Sequence, residues 1–404
     1  MGWNKETRNN VILVLASVAF CLYLIEISLA LFQPKDGRSA KAMKIAAERG
    51  IPFDARSVTE LFYDLRSAGL DAYPAIWPGS IIRTKGLEQG LPFDGERLLP
   101  LAGISGVPTI LGNENGVFSI FDSDEHGFNN PQGLHKKGEV DMVLIGDSIA
   151  QGCCVKPGED LGSLIRERGL RALNLGYGFN GPLFELATLM EYARPLEPKL
   201  VLWLYFEGND IVEMSQEAQI SPSLMAYLEG DFFQGLAERQ DHIDRLLREW
   251  VEKCLARGEI DQWGPEGKRS TLMRVLTLSH LRDRIGIGGP QEPSFDVDLF
   301  GKILKKANQE VLSWGGRLFF VFLPRRERLL EDADDGTSLH RDAVLRVVAD
   351  LQIPTIDTLD KLRRQSDPMA LFPFGLEPHY NRKGYEVISG AIMDYLESTD
   401  AWRK

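Results

Sequence analysis

Three polar stretches, far apart in the chain, hold residue types that could act together on a carbonyl carbon. The first is Gly146-Asp147-Ser148, directly after the apolar run VDMVLI at 140–145. A serine on a tight strand-to-helix turn sits at a helix amino terminus, where backbone N–H groups and the helix dipole stabilise a developing oxyanion. Asp147 would cap or brace that turn, and Ser148 reads equally well as a plain N-cap. The second stretch is Glu207-Gly208-Asn209-Asp210, after the run KLVLWLYF at 199–206, where an asparagine amide can donate to the same oxyanion. The third, Glu377-Pro378-His379-Tyr380-Asn381, offers an imidazole that can take a hydroxyl proton if it is neutral and a nearby carboxylate orients it. A lone histidine is more often a packing or surface residue. Closing a set of three in this order is what gives His379 its weight.

The text between these stretches predicts the frame that would bring them together. Runs at 140–145, 171–175, 199–206, 317–323 and 353–357 are short, mostly apolar or β-branched, without the strict alternation of a half-exposed strand, and stretches of helical periodicity separate them. That pattern predicts a five-stranded, mainly parallel, doubly wound α/β sheet covered on both faces, with its site at the carboxyl ends of the strands. The alternation breaks at about 212–301, where amphipathic text such as FFQGLAERQDHIDRLLREWVEKCLARG predicts a helical insertion. Residues 33–115 mix short helices with Pro- and Gly-rich segments and are expected to form a membrane-proximal extension, with 116–404 as the main domain.

Residues Val11 to Phe32 form an unbroken apolar run whose only charge is Glu26. As a helix this run is about 33 Å long, enough for a single crossing of a hydrocarbon core. It exceeds the apolar region of a cleaved signal, so an anchor at 11–32 behind a polar tail at 1–10 is the expectation. Glu26 could mark a helix partner; a protonated or snorkelling side chain is the plainer reading. Flanking lysines and arginines favour a cytoplasmic main domain. A single anchor behind a short tail favours an extracytoplasmic one, which is the orientation expected here.

Composition narrows the function classes. The 404 residues carry a formal net charge of −12 with no long basic run, which excludes a nucleic-acid grip built on clustered cations. Four cysteines cannot make a disulfide framework; Cys153 and Cys154 follow the serine turn closely and read as small buried apolar residues.

Taken together, these blocks resemble the SGNH, or GDSL-like, hydrolase superfamily over roughly residues 120–400. Gly146-Asp147-Ser148 matches its first block, NLGYGFNGP at 174–182 resembles the second, Gly208-Asn209-Asp210 matches the third, and EPHYNRKG at 377–384 resembles the last. DEHGFNNP at 124–131 is similar to a lead-in of membrane-anchored members. The resemblance implies a flavodoxin-like sheet order, Ser148 as nucleophile, His379 as base and Asn209 as an oxyanion donor. A backbone N–H of the second block would join Asn209. Gly176, Gly178 and Gly181 compete for that place, with Gly178 and Gly176 the first choices, and even Phe179 could supply it. Where the family usually has aspartate before the histidine, this chain has Glu377, which is provisionally the third member. The implied activity is a serine esterase acting on O-acyl esters, acetyl above all, of a cell-surface glycan or lipid-linked saccharide. An O-acyltransferase on a polysaccharide and a non-catalytic anchored scaffold are the alternatives.

Other motifs carry less. Gly176-Tyr177-Gly178-Phe179-Asn180-Gly181 spells G-x-G-x-x-G, but Glu197 and Glu207 are misplaced for a ribose-binding acid, so no nucleotide cofactor is expected. No metal motif is present, His126 and His135 read as loop or packing residues, and EDADDG at 331–336 reads as a solvated loop.

Overall fold

A computed structural model describes residues 5–32, 38–262, 275, 277–279, 281–282, 296–330, 338–376 and 378–400. The chain divides into two compact units, Met1–Lys41 with Gln262–Ser294, and Ala42–Asp261 with Phe295–Lys404.

The first unit is built on the helix Lys5–Phe32, within which Asn9–Leu29 is long and apolar enough to cross a membrane. Its leucines and isoleucines are largely exposed. Glu26 is fully buried, and its carboxylate accepts the backbone N–H of Leu281 at 2.7 Å. The carboxylate is thus satisfied by a protein donor and is not a snorkelling group, which fits the high cost of an unpaired carboxyl in lipid.

In the second unit the described strands, in chain order, are β1 Tyr73–Pro74, β2 Leu91–Phe93, β3 Glu96–Leu98, β4 Pro108–Gly112, β5 Ser119–Asp122, β6 Met142–Gly146, β7 Ala172–Asn174, β8 Leu200–Phe206, β9 Arg317–Leu323 and β10 Thr355–Asp357. The main sheet has the order β10-β9-β8-β6-β7, and every pair in it is parallel. This is the doubly wound α/β arrangement expected from the apolar runs. Its topology reverses beside β6, and in such sheets a ligand sits outside the carboxyl ends of the strands at that reversal.

The core explains why the strands lack polar alternation. All seven residues of β8 are buried, so neither face of the central strand meets water. On one face Leu144, Leu202, Leu204 and Val321 pack with Leu161 and Ile165 and with Ile388 and Ile392 of the helix Arg382–Ser398. On the other, Tyr205 meets Phe300 with ring centroids 5.6 Å apart and Phe320 at 5.5 Å. The predicted insertion contains the helices Asp210–Ile220, Pro222–Glu229 and Gln240–Ala256. The helix Val297–Ser313 runs through Gly301 and buries Phe300, Ile303 and Leu304, so the sheet-covering helix starts before that boundary. The acidic stretch 331–336 lies outside the described residues.

Residues from Ala42 onward share a compact unit with the main sheet. They add a small sheet of order β1-β4-β5, in which β4 and β5 form an antiparallel hairpin. The turn of that hairpin holds Glu114.

Because Leu202 is 0% exposed at the centre of the sheet, Leu202→Ala should lower stability by about 2–5 kcal/mol, whereas Leu312→Ala, 58% exposed, should change it by less than about 0.5 kcal/mol. Denaturant midpoints followed by tryptophan fluorescence would measure both, and equal losses would contradict this placement of the core.

Candidate active site

The first block turns sharply because a short polar residue caps it. Asp147 accepts the Ile149 N–H on Oδ1 at 2.8 Å, which starts the helix Ser148–Gln151 directly off the end of β6. Ser148 is thereby held at the topological reversal of the sheet. Its Oγ lies 2.8 Å from His379 Nε2. The chain that follows the imidazole is anchored: Tyr380 is fully buried and donates its hydroxyl to the Pro324 carbonyl, and Asn381 caps the helix Arg382–Ser398 by accepting the Lys383 N–H at 3.0 Å.

His379 Nδ1 lies 2.7 Å from Glu114 Oε1, across 265 positions of sequence. Glu377, the expected orienting acid, lies outside the described residues. Sequence reasoning missed Glu114 because its surroundings, Gly112-Asn113-Glu114-Asn115-Gly116, read as an ordinary polar turn. The two asparagines fix that turn in place: Asn113 Nδ2 donates to the Asp54 carbonyl at 2.7 Å and Asn115 Nδ2 to the Cys154 carbonyl at 2.5 Å. Burial alone would depress the His379 imidazole, but the facing Cys153 and Glu114 outweigh it and hold the group well above the ordinary histidine value.

The second block is a correction to the sequence reading. Gly176 donates its N–H to Asn174 Oδ1 at 2.9 Å and Gly178 donates to Gln151 Oε1 at 2.9 Å, so neither N–H is available to an oxyanion. Gly181 donates to Glu217 Oε1. These glycines serve close packing: a Cβ on Gly178 would lie 2.0 Å from the Trp77 ring, and one on Gly176 would lie 2.3 Å from Ala150 Cβ. The G-x-G-x-x-G spelling follows from that packing. Phe179, in the left-handed region at φ 58°, has no acceptor for its N–H among the described residues. Asn209 stands across the reversal, its Nδ2 donating to Asp147 Oδ2 at 3.1 Å.

The lead-in is structural. Asp124 accepts the N–H groups of His126 and Phe128, each at 2.9 Å, and sits 2.9 Å from His135 Nε2. Asn130 bonds the Asn174 backbone in both directions at 2.8 Å and so braces the strand that leads into the glycine loop. Glu207 is buried against Arg328 and forms an ion pair with it, which accounts for the acid after β8 without any ribose. Beside Glu114 and His379 a cleft of about 420 Å³ is lined by Arg49, Asn115, Met369, Phe374 and Asn381, among others.

No family model matches this chain, and no curated protein matches it. Among solved structures it is similar to a lipase/acylhydrolase from Enterococcus faecalis, with 13% identity, a TM-score of 0.36, and coverage of 64% of this chain and 96% of that one. It is also similar to a GDSL-like lipase from Bacteroides thetaiotaomicron, with 12% identity, a TM-score of 0.34, and coverage of 64% and 88%. A two-domain esterase active on acetylated mannans matches with 11% identity, a TM-score of 0.35, and coverage of 66% and 50%. Scores this low say nothing of what this chain acts on.

Beneath Ser148 and Asn209 lies a floor of buried carboxyls. Glu185 is 1% exposed with neither carboxyl oxygen hydrogen-bonded. Burial first, then the neighbouring acids, pushes Glu185 and Asp210 well above the carboxylate range and Glu213 up to about 8, while burial alone, against the N–H groups it accepts and the facing Arg83, pushes Glu217 up to about 7. Glu217 has a positional task, since its oxygens accept the N–H groups of Gly181 and Leu183 and pin the end of the glycine loop. The sign of the pH effect follows. Glu213 is raised from an ordinary 4.5 to about 8, so the folded state holds a proton that the unfolded state releases between those values. The melting temperature should therefore fall as pH rises from about 5 to about 8, and Glu213→Gln should flatten that slope. A slope unchanged in Glu213→Gln would count against a buried, protonated Glu213.

Proposed function

We propose that this chain is a membrane-anchored serine esterase that hydrolyses O-acyl esters, acetyl groups above all, carried by a glycan. One observation carries the reading: three remote stretches of sequence meet as a hydroxyl, an imidazole and a carboxylate at 2.8 and 2.7 Å, the spacing that proton transfer from a nucleophile needs.

In this reading Ser148 Oγ attacks the acyl carbonyl carbon while its proton passes to His379 Nε2. Glu114 holds the Nδ1 proton, fixes the tautomer and balances the imidazolium that forms. The charge that develops on the carbonyl oxygen is received by the Phe179 N–H, the Ser148 N–H and the Asn209 amide, in place of the glycine N–H groups that are already engaged. Collapse of the tetrahedral intermediate breaks the ester C–O bond, and the leaving alkoxide takes the Nε2 proton. Water repeats the sequence on the acyl-enzyme and frees the carboxylic acid.

A cleft lined by the Arg49 guanidinium and the Phe374 ring supports a substrate with a sugar face.

With full-length protein in detergent and p-nitrophenyl acetate as substrate, Ser148→Ala should lower kcat/KM by about 10⁴-fold or more, and Asn209→Ala by about 10²–10³-fold. An inert wild-type protein would instead favour the anchored scaffold, and acetate released from an acetylated glycan would identify the substrate class. The pH profile adds a separate check. A protonated His379 cannot accept the serine proton, so activity is lost as pH falls through its folded value, which lies above the ordinary 6.5. In Glu114→Gln that acid limb should move to lower pH while kcat drops by about 10³–10⁴-fold.

A further inference from the structure

The site holds chemistry that ester hydrolysis does not use. Directly after the helix Ser148–Gln151 stand two adjacent thiols, Cys153 and Cys154, only 6% and 5% exposed, with their Sγ atoms 2.7 Å apart. Both face the working imidazole. One ligating atom each from Cys153, Cys154, His379 and Glu114 can be chosen so that all four lie within 4.8 Å of one another.

We propose that these four residues form a site for a thiophilic divalent cation of the zinc class, and that its occupancy competes with the esterase chemistry. The binding is independent of the esterase reading; only its effect on turnover rests on that reading.

The donor set argues for the class of ion. Two thiolates, an imidazole nitrogen and a carboxylate oxygen make an S₂NO set, which suits zinc or cadmium and disfavours magnesium or calcium, whose ligands are oxygens. Zinc bond lengths place tetrahedral ligands about 3.3–3.8 Å apart. The four donors are therefore already gathered near that size, and the chief adjustment is an opening of the two sulfurs by about 1 Å.

The backbone argues that the gathering is built in. Adjacent side chains of an extended chain point to opposite sides, but here Gly152 at φ 86° and Cys154 at φ 66° turn the chain back on itself. For a non-glycine residue that left-handed conformation is unfavourable, so the surroundings must impose it. The β4–β5 hairpin does so: Asn115 holds the Cys154 carbonyl at 2.5 Å, Ser119 holds the Val155 carbonyl at 2.5 Å, and the Gly112 backbone comes so close that a Cβ there would lie 3.2 Å from Cys154 Sγ. The turn that delivers Glu114 to the imidazole therefore also fixes the thiols. Glu114 Oε2 is buried without a hydrogen-bond partner among the described residues, which leaves one carboxylate oxygen for a cation while Oε1 faces His379.

Binding releases the two thiol protons to solvent and ties up a ring nitrogen of His379. Ligation through Nδ1 displaces the hydrogen bond to Glu114, and ligation through Nε2 displaces Ser148. In either case the imidazole can no longer accept the serine proton.

The test uses full-length protein in detergent, kept reduced with a phosphine that does not bind the metal. Titration of Ser148→Ala with cadmium chloride should give a thiolate-to-metal charge-transfer band that saturates at one ion per chain, and zinc chloride should bleach it by competition. Cys153→Ala and Cys154→Ala should each weaken binding by about tenfold or more, whereas Cys21 and Cys254, left intact in both, should not sustain the band. In wild type, zinc should lower turnover by more than about tenfold, reversed by EDTA, with the effect reduced to less than about twofold in Cys153→Ala. Absence of the band in the reduced protein, or a band of full strength in both cysteine variants, would overturn the site. Should either variant misfold by near-ultraviolet circular dichroism, zinc protection of two thiols from a disulfide reagent in Ser148→Ala decides the same question, and no protection sinks the proposal. A saturating band in a protein that never hydrolyses esters would leave the metal site standing and remove only the esterase reading.

Discussion

The arrangement turns on a buried imidazole held between a hydroxyl and a carboxylate. His379 is 8% exposed, so water cannot orient it, and its charged form survives only while Glu114 and Cys153 face it. Each group around it is in turn held by backbone: Asp147 caps the turn that presents Ser148, Tyr380 and Asn381 fix the chain just after the ring, and Asn113 and Asn115 lock the hairpin that carries Glu114. Orientation is thus a property of three separate pieces of structure. A small displacement of any one would lengthen a hydrogen bond on which proton transfer depends.

The carboxyl floor illustrates the opposite economy. Glu185, Asp210, Glu213 and Glu217 are buried, and burial raises all four above the ordinary carboxylate range even though Arg83 faces Glu213 and Glu217 and opposes the shift. Glu217 has a visible return, since it receives the N–H groups that begin the helix after the glycine loop. Glu185 has none among the described residues. Destabilising groups beside a reactive centre are a familiar compromise between stability and chemistry.

Placing the orienting acid on a hairpin that precedes the parallel sheet makes the site dependent on the segment next to the anchor. That segment supplies Glu114, braces Cys154 and Val155, and contributes Arg49 to the neighbouring cleft. It is therefore part of the working domain and not a spacer. The same hairpin holds the loop that gathers the thiols and the imidazole, so the proposed ester chemistry and the proposed cation site draw on a single piece of bracing.

Much was legible in the sequence because it depends on local pattern. Uniformly apolar runs such as VDMVLI can only be strands covered on both faces, and a sheet of that kind exposes its site at strand ends, which placed Ser148, Asn209 and His379 in one region before any coordinates. The length and apolarity of 11–32 likewise fixed a helix able to cross a membrane. The identity of the third group was not legible. An acid in a polar turn 265 residues from its partner carries no local signature, and only the folding of the β4–β5 hairpin against the loop at 379 brings the two together. The oxyanion loop shows the same limit: glycine spacing marks where the backbone must pack closely, while which N–H remains unengaged depends on side chains from elsewhere, Asn174, Gln151 and Glu217, whose reach only the tertiary structure decides.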